Sequence, residues 1–302
     1  MSGGYNKLST YLRNRFGERT LKICVDAGFT CPNRDGTKAY GGCIFCSEKG
    51  SGELIKSCPD IASQVTSFLD SYRGKRANKF IVYFQNFTNT YASITTLKQR
   101  YDSALVDDRI IGISIATRPD CIDEDVCKLI ASYKDKYYVS VELGLQTVND
   151  IVGNIINRCY TTQDFVNAVN MLKKYDIEVV THIMVGLPNE DAKDIENSVN
   201  LINSLKVDGI KIHSTYVVEN TTLADMYYSG SYTPITMDYY IDKVIYIISH
   251  LDPSIVVHRI VADSPKDILV APSWNKNKKV VLNKIESIIK NDSIIQGMHF
   301  VK

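Results

Sequence analysis

Between Phe80 and Thr215 short runs of β-branched and other apolar residues alternate with amphipathic stretches of helical period, and this alternation restricts the fold more than any other feature. The runs Phe80–Phe84, Ile110–Ala116, Tyr137–Leu143, Ile177–Val185 and Gly209–Thr215 read as strands. The stretches Ile94–Leu105, Asp123–Tyr133, Thr161–Tyr175 and Glu190–Leu205 read as helices. Strands that are apolar along their whole length are those of a parallel sheet covered by crossover helices. With the run Leu21–Ala27 ahead of them they make about six strands, so the expected fold is α/β: a partial (βα)6 TIM-like barrel with parallel strands and C-terminal capping elements. Met237–Leu251 and Val280–Lys290, both helix-like, and strand-like Ile255–Ile260 would close or cap the sheet. No repeat, low-complexity tract or linker marks a boundary, so one domain over residues 1–302 is expected, with a barrel core at 21–216 and an extension at 217–302.

Working side chains of a parallel barrel gather at the carboxyl ends of its strands. The expected active face therefore comprises Cys31–Cys46, Gln85–Asn89, Thr117–Cys121, Gly144–Thr147, Gly186–Asn189 and Tyr216–Thr221. The first belongs to a loop over 28–52, too long for a simple connection and rich in Gly and Cys.

That loop carries three thiols, Cys31, Cys43 and Cys46, the last two as C-x2-C. Two intervening residues let both sulfurs of such a pair point at one metal site. Gly36, Gly41 and Gly42 allow a backbone that wraps closely around it. A closed zinc site needs a fourth ligand, which Cys24 before the loop or Cys58 after it would have to supply. Three thiolates alone leave one iron of a [4Fe–4S] cluster open to another ligand.

Composition narrows the setting. The chain has no run of 18 apolar residues and no basic-then-apolar leader at Met1–Thr10, so a cytoplasmic protein without a membrane span is expected. In that compartment its eight cysteines read as metal ligands or core filling rather than disulfides. Lys and Arg total 35 against 34 acids, which neither recruits nor excludes a polyanion. The local basic groups, Arg13, Arg15 and Arg19, then Arg73, Lys75 and Arg76, then Lys276, Lys278 and Lys279, read as solvated surface.

The segments Ala27-Gly-Phe-Thr-Cys31-Pro-Asn-Arg-Asp-Gly-Thr37 and Gly41-Gly-Cys-Ile-Phe-Cys46 resemble the radical S-adenosylmethionine superfamily. Within it they resemble a stand-alone bacterial family related to the radical domain of the elongator acetyltransferase subunit, whose first cysteine gap is long, as in C-x11-C here. The similarity runs from about Tyr5 to Trp274. It implies a [4Fe–4S] cluster on Cys31, Cys43 and Cys46, and reductive cleavage of S-adenosylmethionine to a 5′-deoxyadenosyl radical. Gln85 and Asn86 stand where the superfamily carries a Gly-Gly-Glu-like turn on the methionine amine, and Ala116, before Thr117-Arg118-Pro119-Asp120, stands where relatives carry an acid. Glu142 opens Glu142-Leu-Gly-Leu-Gln146-Thr147, and Gln146 with Arg158 looks like the pair that holds ribose and carboxylate. His182 opens a strand whose apolar residues face adenine. The resemblance further implies a tRNA substrate: remodelling of the carboxymethylaminomethyl group of wobble uridine toward aminomethyl, with an electron donor such as flavodoxin or ferredoxin.

Cys121, His213 and Tyr216 end strands on the active face and are candidates for substrate contact, Cys121 and His213 as catalytic groups. Trp274, Tyr227 and Tyr228, with the Lys276–Lys279 patch, are candidates for RNA contact by stacking and charge. Two other readings stay open: a radical enzyme acting on a small or porphyrin-like metabolite, and a zinc-stabilised RNA-binding or scaffold protein.

Overall fold

The computed structural model describes residues 4–50 and 60–301. Among the described residues, seven parallel strands form one curled sheet, a half-barrel. In spatial order they are β1 (Thr20–Val25), β2 (Lys79–Phe84), β3 (Ile110–Thr117), β4 (Tyr138–Gln146), β5 (Glu178–Val185), β6 (Gly209–Ser214) and β8 (Val256–Arg259). The six strands read from the sequence are all present. The strand-like run Ile255–Ile260 joins the sheet beside β6 as its seventh strand.

The crossovers carry α2 (Ile61–Asp70), α3 (Ile94–Asp102), α4 (Glu124–Ala131), α5 (Asp150–Ile155), α6 (Thr162–Lys174) and α7 (Ala192–Ser204). Their starts follow local chemistry. Asp123 accepts from Val126 N, and Thr161 with Asp164 and Asp191 with Asp194 close reciprocal capping boxes that satisfy otherwise orphan amides. After β6 come β7 (Val217–Val218), α8 (Thr222–Tyr228) and α9 (Met237–His250). After β8, β9 (Leu269–Ala271) pairs antiparallel with β7, and α10 (Lys278–Asn291) packs on α9.

Alternation along each strand sorts the side chains. Ile23, Val25, Val82, Phe84, Ile113, Ile115, Val141, Leu143, Ile183, Ile210 and Ile212 are buried in the main apolar core between sheet and helices. The intervening positions are polar: Lys22 on β1, Ser114 on β3, Ser140 and Glu142 on β4, His182 on β5, and Lys211 and His213 on β6. Register brings them level, with Ser114 opposite Ser140 and His182 opposite Lys211. The strands read as continuously apolar therefore carry a polar row on the concave face. The sheet does not close: α1 (Leu8–Phe16) contacts both edge strands, β1 and β8, and Lys7 bridges to Val257.

Candidate active site

A cavity of about 250 Å³ opens at the carboxyl ends of the strands, where the cysteine loop folds over the sheet. Cys31, Cys43 and Cys46 line it together with Gln85, Glu142, Gln146, His182, His213 and Tyr216. Five of the six expected loops reach it; Gly186–Asn189 does not. That turn is occupied otherwise, with Gly186 N and Leu187 N donating to Glu190 and Tyr232 Oη donating to Gly186 O.

The loop is held from within. Gly36, Gly41 and Gly42 all take positive φ, and a Cβ on Gly36 would sit 2.5 Å from the Tyr40 ring. Arg34 N donates to Cys31 O and Cys46 N to Cys43 O, while the Arg34 guanidinium donates to Cys46 O and Ser47 O. Asn33, fully buried, directs its amide at Cys43 Sγ, 3.7 Å away. A hydrogen bond from Cys46 holds the Cys43 thiol down at about 7 against burial, with Arg118 and Asn33 helping. The donor, Cys46, is pushed up by that same bond and by burial. One thiolate is thus favoured before any metal arrives.

Among the described residues no three His, Cys, Asp or Glu side chains close on a point as ligands of a single ion do, which a mononuclear zinc site requires. Cys24 faces a different cavity, and Cys58 lies outside the described residues. Three thiols lining one cavity are the donor set that an iron–sulfur cluster with one open iron takes. At the other side of the cavity, the lack of a side chain at Gly144 lets Gln146 and Tyr160 pack closely on the strand: a Cβ there would lie 2.7 Å from Gln146 Nε2 and 3.1 Å from Tyr160 Oη. Gln146, at φ 64° on a bulge ending β4, and Met184 border the same space.

Below the thiols lies a buried ion cluster. Glu142 Oε1 accepts from Lys22 Nζ at 2.7 Å and Ser114 Oγ at 3.0 Å, and Oε2 from His182 Nε2 at 2.7 Å and from Lys211 Nζ. Burial alone would raise the Glu142 carboxyl, but the Lys211 and Lys22 ammoniums outweigh it and hold it well below its usual range. Burial, aided by Lys211, brings His182 down to about 4 despite Glu142. At neutral pH the imidazole is uncharged, Nε2–H donates to the carboxylate, and Nδ1 is left as an acceptor. His213 lies 5.2 Å from His182, ring to ring, and burial keeps it neutral as well.

Three expected site residues stand outside the cavity lining. Arg158 is fully buried outside the cavity: its guanidinium donates to Leu145 O, Thr147 O, Tyr160 O and Asp150 Oδ1, so no edge remains for a ribose or carboxylate. It pins the bulge that presents Gln146. Asn86 is buried against Asp26 and does not reach the cavity. Cys121 also stands outside it, and burial with the nearby Asp120 carboxylate pushes its thiol up to about 12. Trp274 packs on Tyr240 and donates to Ile235 O. Arg118, Lys22 and Lys211 were overlooked as site residues. A lysine inside each of the runs Thr20–Val25 and Gly209–Ser214 was the available signal, since a buried charge in an apolar strand requires a partner.

Arg158→Ala is expected to lower stability by about 3 kcal/mol or more in urea unfolding, because three buried carbonyls lose their donor. An Arg158→Ala protein as stable as the parent would show the guanidinium to be dispensable.

The Radical SAM superfamily model matches residues 31–202, more than half of the chain. The chain belongs to the radical SAM superfamily. The Radical_SAM C-terminal domain model matches residues 207–291. Uncharacterized protein YtqA of Bacillus subtilis is 38% identical over 300 residues, covering 98% of this chain and 92% of that protein. The tRNA uridine(34) acetyltransferase of Methanocaldococcus jannaschii is 27% identical over 168 residues, 54% of this chain and 30% of that one. The structure of Elp3 from Methanocaldococcus infernus shares the fold at TM-score 0.67 and 17% identity, over 92% of this chain and 64% of that one. Membership of this radical SAM family implies an enzyme that uses S-adenosylmethionine and a [4Fe–4S] cluster. No helix among the described residues of this radical SAM protein is long and apolar enough to cross a membrane.

Proposed function

We propose that this chain is a single-domain cytoplasmic enzyme that holds its cluster on Cys31, Cys43 and Cys46 and modifies the wobble uridine of tRNA, converting a carboxymethylaminomethyl group toward aminomethyl. The 5′-deoxyadenosyl radical takes a hydrogen atom from the methylene beside the carboxylate. The substrate radical gives up one electron, which replaces the one spent on cleaving S-adenosylmethionine, and water releases the two carbons as glyoxylate, leaving the amine. The observation that carries the reading is the convergence of those thiols with Gln85, Gln146, His182 and His213 on one cavity. When bound, the cluster supplies the electron, drawn from a flavodoxin- or ferredoxin-like donor, that cleaves the sulfonium of S-adenosylmethionine.

The protein residues do the rest by placement. Gln146, held by the Arg158-pinned bulge, offers an amide to ribose hydroxyls. Neutral His182 offers an acceptor without adding charge. In this reading Gln85, on the cavity wall, holds the methionine end. Met184 and Tyr160 line the cavity with largely apolar surface, and His213 faces the space left for substrate. The similarity to tRNA uridine(34) acetyltransferases supports the substrate class.

The test is anaerobic incubation of the reconstituted protein with S-adenosylmethionine, dithionite and tRNA from cells lacking the gene. Nucleoside mass analysis should show carboxymethylaminomethyluridine falling as aminomethyluridine rises. Cleavage of S-adenosylmethionine with an unchanged nucleoside profile would move the substrate assignment to a small metabolite.

A further inference from the structure

A second cavity, of about 430 Å³, lies in the seam where the half-barrel fails to close, between β1 and β8 and flanked by α1 and α10. Its charge is one-sided. Lys7, Lys22, Arg73, Lys211, Arg259 and Lys278 line it, and no Asp or Glu does. Carboxylates behind the wall offset part of this: Glu142 pairs with Lys22 and Lys211, Glu286 with Lys7, and Asp263 with Lys278 and, at 4.0 Å, Arg259. Six cations thus face three acids. Among the described residues no carboxylate pairs with Arg73, whose guanidinium lies 5.8 Å from the Phe68 ring centroid. His258, also in the wall, is kept neutral by burial and leaves its Nδ1 without a partner.

Surplus positive charge in a recess is unfavourable until an anion enters, and a recess walled by low-dielectric groups focuses that attraction. The remaining lining is mostly apolar or aromatic, including Tyr5, Leu12, Leu21 and Tyr83, with Ser9 and Thr20 as polar exceptions. Tyr83 also lines the radical cavity, and Lys211 and Lys22 stand 4.2 and 5.1 Å from its ring centroid. The two cavities thus meet at Tyr83 and at the Glu142 ion cluster.

We infer that the seam cavity is a phosphate-binding site, with Arg73 and Arg259 at its rim and Lys22 and Lys211 at its depth. Resting on the tRNA reading above, the phosphate belongs to the RNA strand whose uridine is modified. Arginine forks match phosphate oxygens in pairs, and the apolar wall accommodates the sugar and base beside them. A phosphate here would also draw on the two lysines that hold Glu142, so occupancy of the seam bears on the hydrogen bond to His182.

The experiment measures binding to the reconstituted protein of two probes, an anticodon stem-loop RNA and inorganic pyrophosphate, over a range of salt. An Arg73→Ala/Arg259→Gln variant is compared with Lys128→Gln, an exposed lysine on α4 that pairs with Glu124. The paired arginine changes should weaken the bound probe about tenfold and flatten the salt slope for RNA by about two, whereas Lys128→Gln should leave both unchanged. Unaltered binding of both probes by the arginine variant overturns the site. Loss of pyrophosphate binding in a protein that never binds the stem-loop keeps the phosphate site, assigns it to a small phosphorylated substrate, and removes the tRNA reading. Circular dichroism confirms that the variant is folded.

Discussion

Cys43→Ala protein is expected to leave anaerobic reconstitution with iron and sulfide at background, and to leave S-adenosylmethionine intact under dithionite. The effect is all-or-none because the remaining thiols cannot replace the lost corner. Among the described residues Cys24 lines a different cavity, and Cys159, although near, is turned to Asn157 Oδ1. Cys43 is also the thiol that its surroundings favour as thiolate, through Cys46, Arg118 and Asn33. Parent protein should carry about four irons and four sulfides per chain with absorbance near 400 nm. Cys24→Ala should keep them in full. Zinc without sulfide in the parent, lost on changing Cys24, would replace the cluster with a closed zinc site.

The second large effect belongs to Glu142. Glu142→Gln should destabilise the fold by about 3 kcal/mol at pH 7, because the buried Lys22 loses its carboxylate partner and Lys211, already lowered to about 7, must give up its proton or stay charged unpaired. The pH dependence has a definite sign. A carboxyl held well below its usual range contributes stability above its unfolded value, about 4.3, and that contribution is lost as pH falls through the depressed folded value. The acid-side loss should therefore shrink in Glu142→Gln. Lys211 behaves oppositely: burial, with Lys22 and Arg259, lowers it to about 7, so between there and about 10.4 the unfolded chain binds more protons and stability rises with pH. Removing the carboxylate should start that rise at lower pH. Urea midpoints from pH 3 to 10 measure both limbs; a Glu142→Gln protein equal to the parent at pH 7 would show that the cluster does not stabilise the fold.

Much of the architecture was legible because burial on both faces leaves a direct mark on composition. The outward faces of β2 through β6 are Val, Ile, Leu and Phe, and the helix starts carry Asp or Thr caps that act over three residues. The edges were less clear. Helix α1 follows a polar start with Leu12 as its buried residue, and its reason to be helical is the seam it covers. Strand β8 reads like any short apolar run, and its place beside β6 depends on pairing across more than forty residues.

The site divides in the same way. Cys31, Cys43 and Cys46 with Gly36, Gly41 and Gly42 form a local unit, since neighbouring thiols and positive φ are demands met within one loop; the sequence by itself therefore determined the three-thiol loop and the barrel that carries it. Arg158, Asn86 and Cys121 stand at the right distances along the chain, yet only the tertiary structure decided that a buried arginine serves four acceptors, an asparagine turns to Asp26, and a thiol lies behind the wall. The same holds for the ion cluster and the basic seam. Lys22, Glu142, His182 and Lys211 lie on four strands, and no pattern along the chain records which side chains meet once a sheet curls.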